Sequence, residues 1–218
     1  MIKFENTEVF NFEGALRGMR NPMNSWEKSD SQFYKGYIDI IGENDLNLAQ
    51  RLIKAGTDHR KFLRQIFVSV DITAPLYWWK EFDTYKVATV SNSCSTMHKI
   101  HEKEFTLDDF SCEHFEMLKF DKLGGLYNCI WCLKDIIDIL NSARDMYLKT
   151  KDKKYWWQMI QLLPSSYNQK RTISLNYETL RNIYNSRRNH KLDEWSIGFM
   201  KWIDSLPYAE ELIKLGGA

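Results

Sequence analysis

Leu163-Pro164-Ser165-Ser166-Tyr167-Asn168-Gln169, followed by Arg171-Thr172-Ile173-Ser174-Leu175-Asn176 and a helix-like run to Arg187, decides how this chain folds. Pro164 stops the helix before it, because its ring removes a donor and pushes the preceding residue out of the helical region. Residues 171–176 read as a strand. Asn176 is by default the N-cap of the next helix, its side chain taking up a backbone N–H that the first turn leaves unpaired. In the helix 177–189, Leu180, Ile183, Tyr184 and Arg187 recur at i, i+3, i+4 and i+7, so Arg187 closes an apolar stripe. An arginine there either lays its stem on the surface with its head in water, or grips a phosphate or carboxylate with two parallel N–H groups. Asn182 lies on a different part of the same helix.

Upstream, residues 1–10 alternate apolar and polar and read as a strand, and 13–20 as a short helix ending at Asn21-Pro22. The polar and aromatic stretch 22–36 reads as a loop. Asn44-Asp45 is expected to cap the helix 46–55, which Gly56 stops. Residues 66–72 form a β-branched strand with Ser69 and Asp71 on one face. Thr73 is expected to cap, and Pro75 to open, a helix carrying Leu76, Trp78, Trp79 and Phe82. Val90 to Ser95 is too polar to assign, and 96–112 reads as a loop. The longest helix is expected over 124–148, with Leu126, Ile130, Leu133, Ile137 and Leu140 on one face. A short aromatic helix follows at 155–160, and two more near 193–204 and 208–215. Strands near 2–9, 66–72 and 171–176 with helices between and after them give a mixed α/β class, in one domain over residues 1–218.

Composition sets the limits. The chain has 218 residues, 44% of them apolar, enough for a real core. A net charge of +1 leaves no basic footprint for nucleic acid or a membrane surface. There is no apolar signal core at the start and no run long enough to span a bilayer, so a soluble cytoplasmic protein is expected. Eight Trp and eleven Tyr fit a stacking surface, a subunit interface or a bulky core equally well. Cys129 and Cys132 have CxxC spacing but sit in an apolar helical pattern without a turn, and are read as core. Cys94, His98, His101, Cys112 and His114 cluster in sequence, but their spacing fits no common zinc knuckle, and no metal is expected.

The pattern of Pro164, Asn176 twelve residues on, Asn182 six beyond and Arg187 eleven after Asn176 resembles the flavin-dependent thymidylate synthases, with Leu180 at the expected apolar position. Phe67-Val68-Ser69-Val70-Asp71-Ile72-Thr73-Ala74-Pro75-Leu76-Tyr77 resembles that family's strand, Ala-Pro and apolar helix. Leu52-Ile53-Lys54-Ala55-Gly56 with Asp58-His59 looks like its helix, Gly and His-containing turn. The resemblance covers about two thirds of the chain. It implies a small central sheet with long flanking helices, FAD as cofactor, and reductive methylation of dUMP or a related pyrimidine nucleotide. Methylenetetrahydrofolate would be the carbon donor and NADPH the reductant. It further implies a homotetramer with active sites between subunits. Arg187 would bind the nucleotide at the catalytic centre, with Asn92 and Ser95 beside it. Asn176, Asn182, Lys86, Tyr85 and His59 would hold the flavin.

The departures are as informative. The family's Arg-His-Arg triplet aligns with Thr84-Tyr85-Lys86, where one positive charge survives. A later arginine falls at Met97, and the family's Ala-Gln-x-Glu-Ile is replaced by Leu192-Asp193-Glu194-Trp195-Ser196. Each lost charge-assisted contact is worth about 1.5–3 kcal/mol. Lys99, Lys103, Arg171, Arg188 and Lys191 are the candidates to replace them. The alternative reading is a repurposed or catalytically inactive homologue that binds a nucleotide or flavin.

Overall fold

The computed structural model describes residues 2–120 and 125–216. In chain order the elements begin β1 (Lys3–Phe10), α1 (Phe12–Arg20), β2 (Gln32–Tyr34), β3 (Tyr37–Ile40), α2 (Glu43–Lys54), β4 (Phe67–Pro75), α3 (Leu76–Phe82) and β5 (Val90–Ser93). Next come β6 (Met117–Phe120), β7 (Gly125–Asn128), α4 (Cys129–Thr150), α5 (Lys153–Leu162), β8 (Asn168–Asn176), α6 (Tyr177–Arg187) and α7 (Met200–Asp204). Glu194–Phe199 and Ala209–Ile213 are π-helical turns. Among the described residues no helix is long and apolar enough to cross a membrane.

The fold is the expected mixture of a small sheet and long helices. The central sheet has strand order β1-β4-β8-β5. Its two middle strands run antiparallel: Thr172 bonds Asp71 by side chains, Tyr177 N–H donates to Ile66 O at 3.1 Å, and Leu76 N–H donates to Tyr167 O at 3.0 Å. Numbers fall on one strand as they rise on the other. On β4, Val68, Val70, Ile72 and Ala74 are buried, whereas Ser69, Asp71 and Thr73 are half-buried, the two-residue alternation of a sheet covered mainly on one face.

The chain divides into two compact units. One comprises 2–72, 83–92 and 171–216. Phe12, Leu16, Leu63, Ile66, Ile173, Tyr177, Leu180, Trp195 and Phe199 are each no more than 1% exposed in it. Arg20 and Asp45 form a buried pair there, Nε to Oδ1 at 2.5 Å, with Ser29 and Ser31 hydroxyls donating to the other carboxylate oxygen. The second unit comprises 73–82 and 93–170. Its core gathers Leu133, Ile137 and Leu140 of α4 with Met159 of α5, and with Ile100, Phe105 and Phe110 from the loop before them.

Several local expectations are corrected. The stretch 22–36 is not all loop. β2 and β3 make a hairpin through Lys35-Gly36, both at positive φ (51° and 83°), as a tight primed turn requires. Asp45 does not cap α2, because it is consumed by Arg20. Asp30 instead accepts from Asn44 N–H and Asp45 N–H at 2.9 and 3.1 Å. Thr73 and Pro75 belong to β4, so α3 starts one residue later than its proline. Residues 125–128 are a strand paired with 117–120, and the long helix starts only at Cys129, where Asn128 accepts from Ile130 N–H at 2.9 Å. Leu126 sits four residues before Ile130, which makes a strand end look like the start of a helical stripe.

Candidate functional site

α6 begins at a well-made cap. Asn176, 5% exposed, accepts from Thr179 N–H at 3.0 Å and from its hydroxyl at 3.2 Å. The helix ends at Arg187, which is half-buried. Its Nε donates to the Tyr85 hydroxyl at 2.8 Å, and its guanidinium carbon lies 5.6 Å from the Tyr85 ring centre and 5.1 Å from that of Trp195. Aromatic faces hold a cation by their quadrupole without neutralising it. The guanidinium is therefore oriented by two aromatic side chains, one of which also accepts its Nε hydrogen bond. Trp195 is fully buried and packs against Phe199 at 5.1 Å between ring centres, so its side of this aromatic support is fixed by the core.

Of the residues expected at the site, Tyr85 and Arg187 are brought into direct contact. Asn176 uses its side-chain oxygen as a helix cap. Asn182 is exposed on α6, and its backbone carbonyl accepts from Ser186. Lys86 and Asn92 are exposed in the same unit. Ser95 lies in the second unit, also exposed, where its hydroxyl oxygen accepts from His98 N–H at 2.9 Å and so shapes its own turn. Three of the proposed replacement cations are committed elsewhere: Arg171 to Asp83 at 2.7 Å, Lys103 to Asp109 at 2.7 Å, and Lys99 to Glu102. Arg188 lies over the Tyr184 ring, 5.6 Å from its centre. Among the described residues no three His, Cys, Asp or Glu side chains are arranged to hold a metal ion.

His59 stands at the edge of a cleft of about 810 Å³. Met19, Met23, Leu48, Leu52 and Phe62 line its apolar part, and Asn21, Gln65 and Lys61 add polar groups. That size falls within the range usual for small-molecule sites. With the Asp58 carboxylate also on its wall, this cleft of apolar sides and polar rim has the room and the donors and acceptors for a flat heteroaromatic ring such as a flavin's. Gly56, at φ 109°, sharpens the turn that follows α2, and its carbonyl accepts from both His59 N–H and Arg60 N–H at 3.1 Å. Arg60 then reaches α6, its Nε donating to both Glu178 carboxylate oxygens at 3.0 and 3.1 Å. Thus the His59 turn is pinned to the helix that carries Arg187.

Sequence reasoning missed Trp195, Arg60 and Glu178. Trp195 sits beyond the break at 188–193, so helical spacing could not be projected from Arg187 onto it. Arg60 and Glu178 are 118 residues apart, and only the fold joins them.

No family model matches this chain, and no curated protein matches it. Solved structures do. A thymidylate synthase X from Helicobacter pylori, crystallised with FAD and dUMP, has a TM-score of 0.68 at 16% identity, covering 98% of both chains. A second structure of that enzyme with FAD and dUMP scores 0.65, covering 98% of this chain and 97% of that one. A UMP/dUMP methylase, PolB, from Streptomyces cacaoi, bound with 5-Br UMP, scores 0.64 at 11% identity, covering 100% of this chain and 96% of that one. At these identities the comparison establishes the fold: the chain has the architecture of the flavin-dependent thymidylate synthases over its whole described length.

Proposed function

We propose that this protein binds a pyrimidine nucleotide and a flavin and methylates the nucleotide at C5, with dUMP or UMP as the substrate class. The observation that carries the reading is the half-buried Arg187 guanidinium, held by Tyr85 and Trp195 at the end of α6 in a chain with this fold. Arg187 would receive the nucleotide's anionic group. Because its orientation is set beforehand, little side-chain freedom is lost on binding. The His59 cleft would hold the flavin ring; the further flavin contacts (Lys86, Asn176, Asn182) and nucleotide contacts (Asn92, Ser95) are carried over from the sequence resemblance alone. FAD, when bound, supplies the electrons for reductive methylation. NADPH as reductant, methylenetetrahydrofolate as carbon donor and assembly into a homotetramer belong to the same proposal.

What this chain's own residues contribute is binding, orientation and exclusion of water. Uracil C5 must lose its hydrogen as a proton when the new carbon attaches. Release of tritium from 5-tritiated dUMP or UMP therefore reads turnover. The test is to incubate purified protein with FAD, record its spectrum with and without dUMP, and then assay tritium release. Bound flavin whose spectrum changes with nucleotide, together with release, supports the enzyme. Protein that takes up no flavin refutes it.

A second reading is favoured by one observation: Tyr85, which stands in the family's cationic triplet, has become a support for Arg187 instead of a second charge. Such a site would bind nucleotide without turning it over. Tight nucleotide binding with no tritium release identifies it.

A further inference from the structure

The CxxC at the start of α4 is not in the core. Cys129 is the first residue of a 22-residue helix and is half-buried; Cys132, in the same turn, is exposed, as is the intervening Trp131 at 67%. Both cysteines face one apolar cavity of about 460 Å³, walled also by Phe115, Leu118, Tyr127 and Leu133. Core packing therefore does not account for the pair. Residues three apart on a helix are neighbours, with Cβ atoms about 5–6 Å apart, slightly beyond the 3.5–4.5 Å span usual for a disulfide. In this first turn the N–H groups of Ile130 and Trp131 bond only to the Asn128 side-chain cap, at 2.9 and 3.3 Å, so the turn can draw in without breaking bonds of the helix behind it.

We propose that Cys129 and Cys132 are a redox-active dithiol that exchanges with disulfides bearing an apolar or aromatic flank, which the adjoining cavity accommodates. Cys132, the more open thiol, attacks as thiolate one sulfur of an external disulfide RSSR. A Cys132–SR bond forms, and RS⁻ leaves and takes a proton. Cys129 then attacks the Cys132 sulfur. The Cys129–Cys132 bond forms and the second RS⁻ leaves and is protonated. Two protein thiols lose two electrons and two protons, and one disulfide becomes two thiols. The site lies in the second unit and stands independently of the nucleotide reading.

The test treats the native full-length protein with 4,4′-dithiodipyridine, an aromatic disulfide, and maps the peptide containing residues 129–132 by mass. Exposed Cys94 serves as the internal reference. The expected wild-type product lacks two hydrogens and carries no pyridylthio group. In Cys129→Ser the group should stay on Cys132, and in Cys132→Ser the two-hydrogen loss should vanish. The rate of Cys132 relative to Cys94 should be at least about tenfold higher with this reagent than with oxidised glutathione, the gain expected from burying one ring in an apolar cavity. A stable adduct on wild-type Cys132, or thiols left untouched while Cys94 reacts, overturns the dithiol. Equal relative rates with both reagents overturn the cavity's part in it.

Discussion

Arg187 illustrates how one side chain acquires a role from its neighbours. The stripe Leu180, Ile183, Tyr184, Arg187 allowed either a snorkelling or an anion-binding arginine, and the structure sets its guanidinium against the Tyr85 and Trp195 rings. Arg187→Ala is expected to weaken nucleotide binding by about tenfold to a few hundredfold, from the loss of one charge-assisted contact of about 1.5–3 kcal/mol. Flavin uptake should change little. Arg187→Lys should recover only part of the loss, because an ammonium lacks the flat fork that stacks and bonds together. Nucleotide titration calorimetry of both variants checks this. Asp45 is the other decisive residue. Burial alone would raise its carboxyl, but hydrogen bonds from Ser31 and Ser29, and the Arg20 guanidinium, outweigh it and hold it below the ordinary carboxylate range. A carboxyl so lowered stabilises the fold at neutral pH and keeps doing so down to the unfolded value near about 3.9; the benefit disappears as pH falls through the lower folded value. Asp45→Asn should cost about 3–5 kcal/mol at pH 7, since it leaves Arg20 buried without its counter-charge. Urea unfolding in a pH series should show that gap closing only below about pH 4. A gap that widens in acid would contradict the assignment.

Elements were legible wherever period and punctuation agreed. β4 alternates over eight residues, α6 has a cap and a clean stripe, and Pro164 marks the break before β8; each was found from sequence. The two hairpins were not. β2 and β3 are three and four residues long with a single half-buried residue each, Phe33 and Ile38, so their alternation is too short to stand out from the polar stretch around it. β7 ends in residues that continue the α4 stripe. The Cys129-Cys132 pair was misjudged for the same reason, since a pattern starting too early placed it mid-helix. α6 also rests on contacts that sequence does not display. Asn176→Ala should cost about 1 kcal/mol or somewhat more from the lost cap, seen as a lower midpoint in chemical denaturation. Arg60→Ala frees the Gly56–His59 turn from Glu178. It is expected to weaken FAD binding at least several-fold while nucleotide affinity stays within about twofold, as suits a contact worth about 1 kcal/mol or more near the flavin cleft only. Equal losses for both ligands would mean that the pair serves the fold and not the turn.

At the scale of the whole chain, the mixed class and the spacing of Pro164, Asn176, Asn182 and Arg187 pointed to an architecture that the solved structures then matched along its length. Individual site residues were harder, because a cluster drawn from segments more than a hundred residues apart leaves no local pattern. The π-helical turn at Glu194–Phe199 limits what this segment tolerates. Such a turn carries one residue more than an α-helix would need, and each residue sets the helix round by roughly 100°. Trp195 at its start serves the arginine, while Phe199 and Trp202 beyond it pack against Phe4 of β1. Deleting exposed Ile197 would tidy the helix and yet force a choice between those two duties. The extra residue of the π-helical turn is thus what lets one short segment meet both demands.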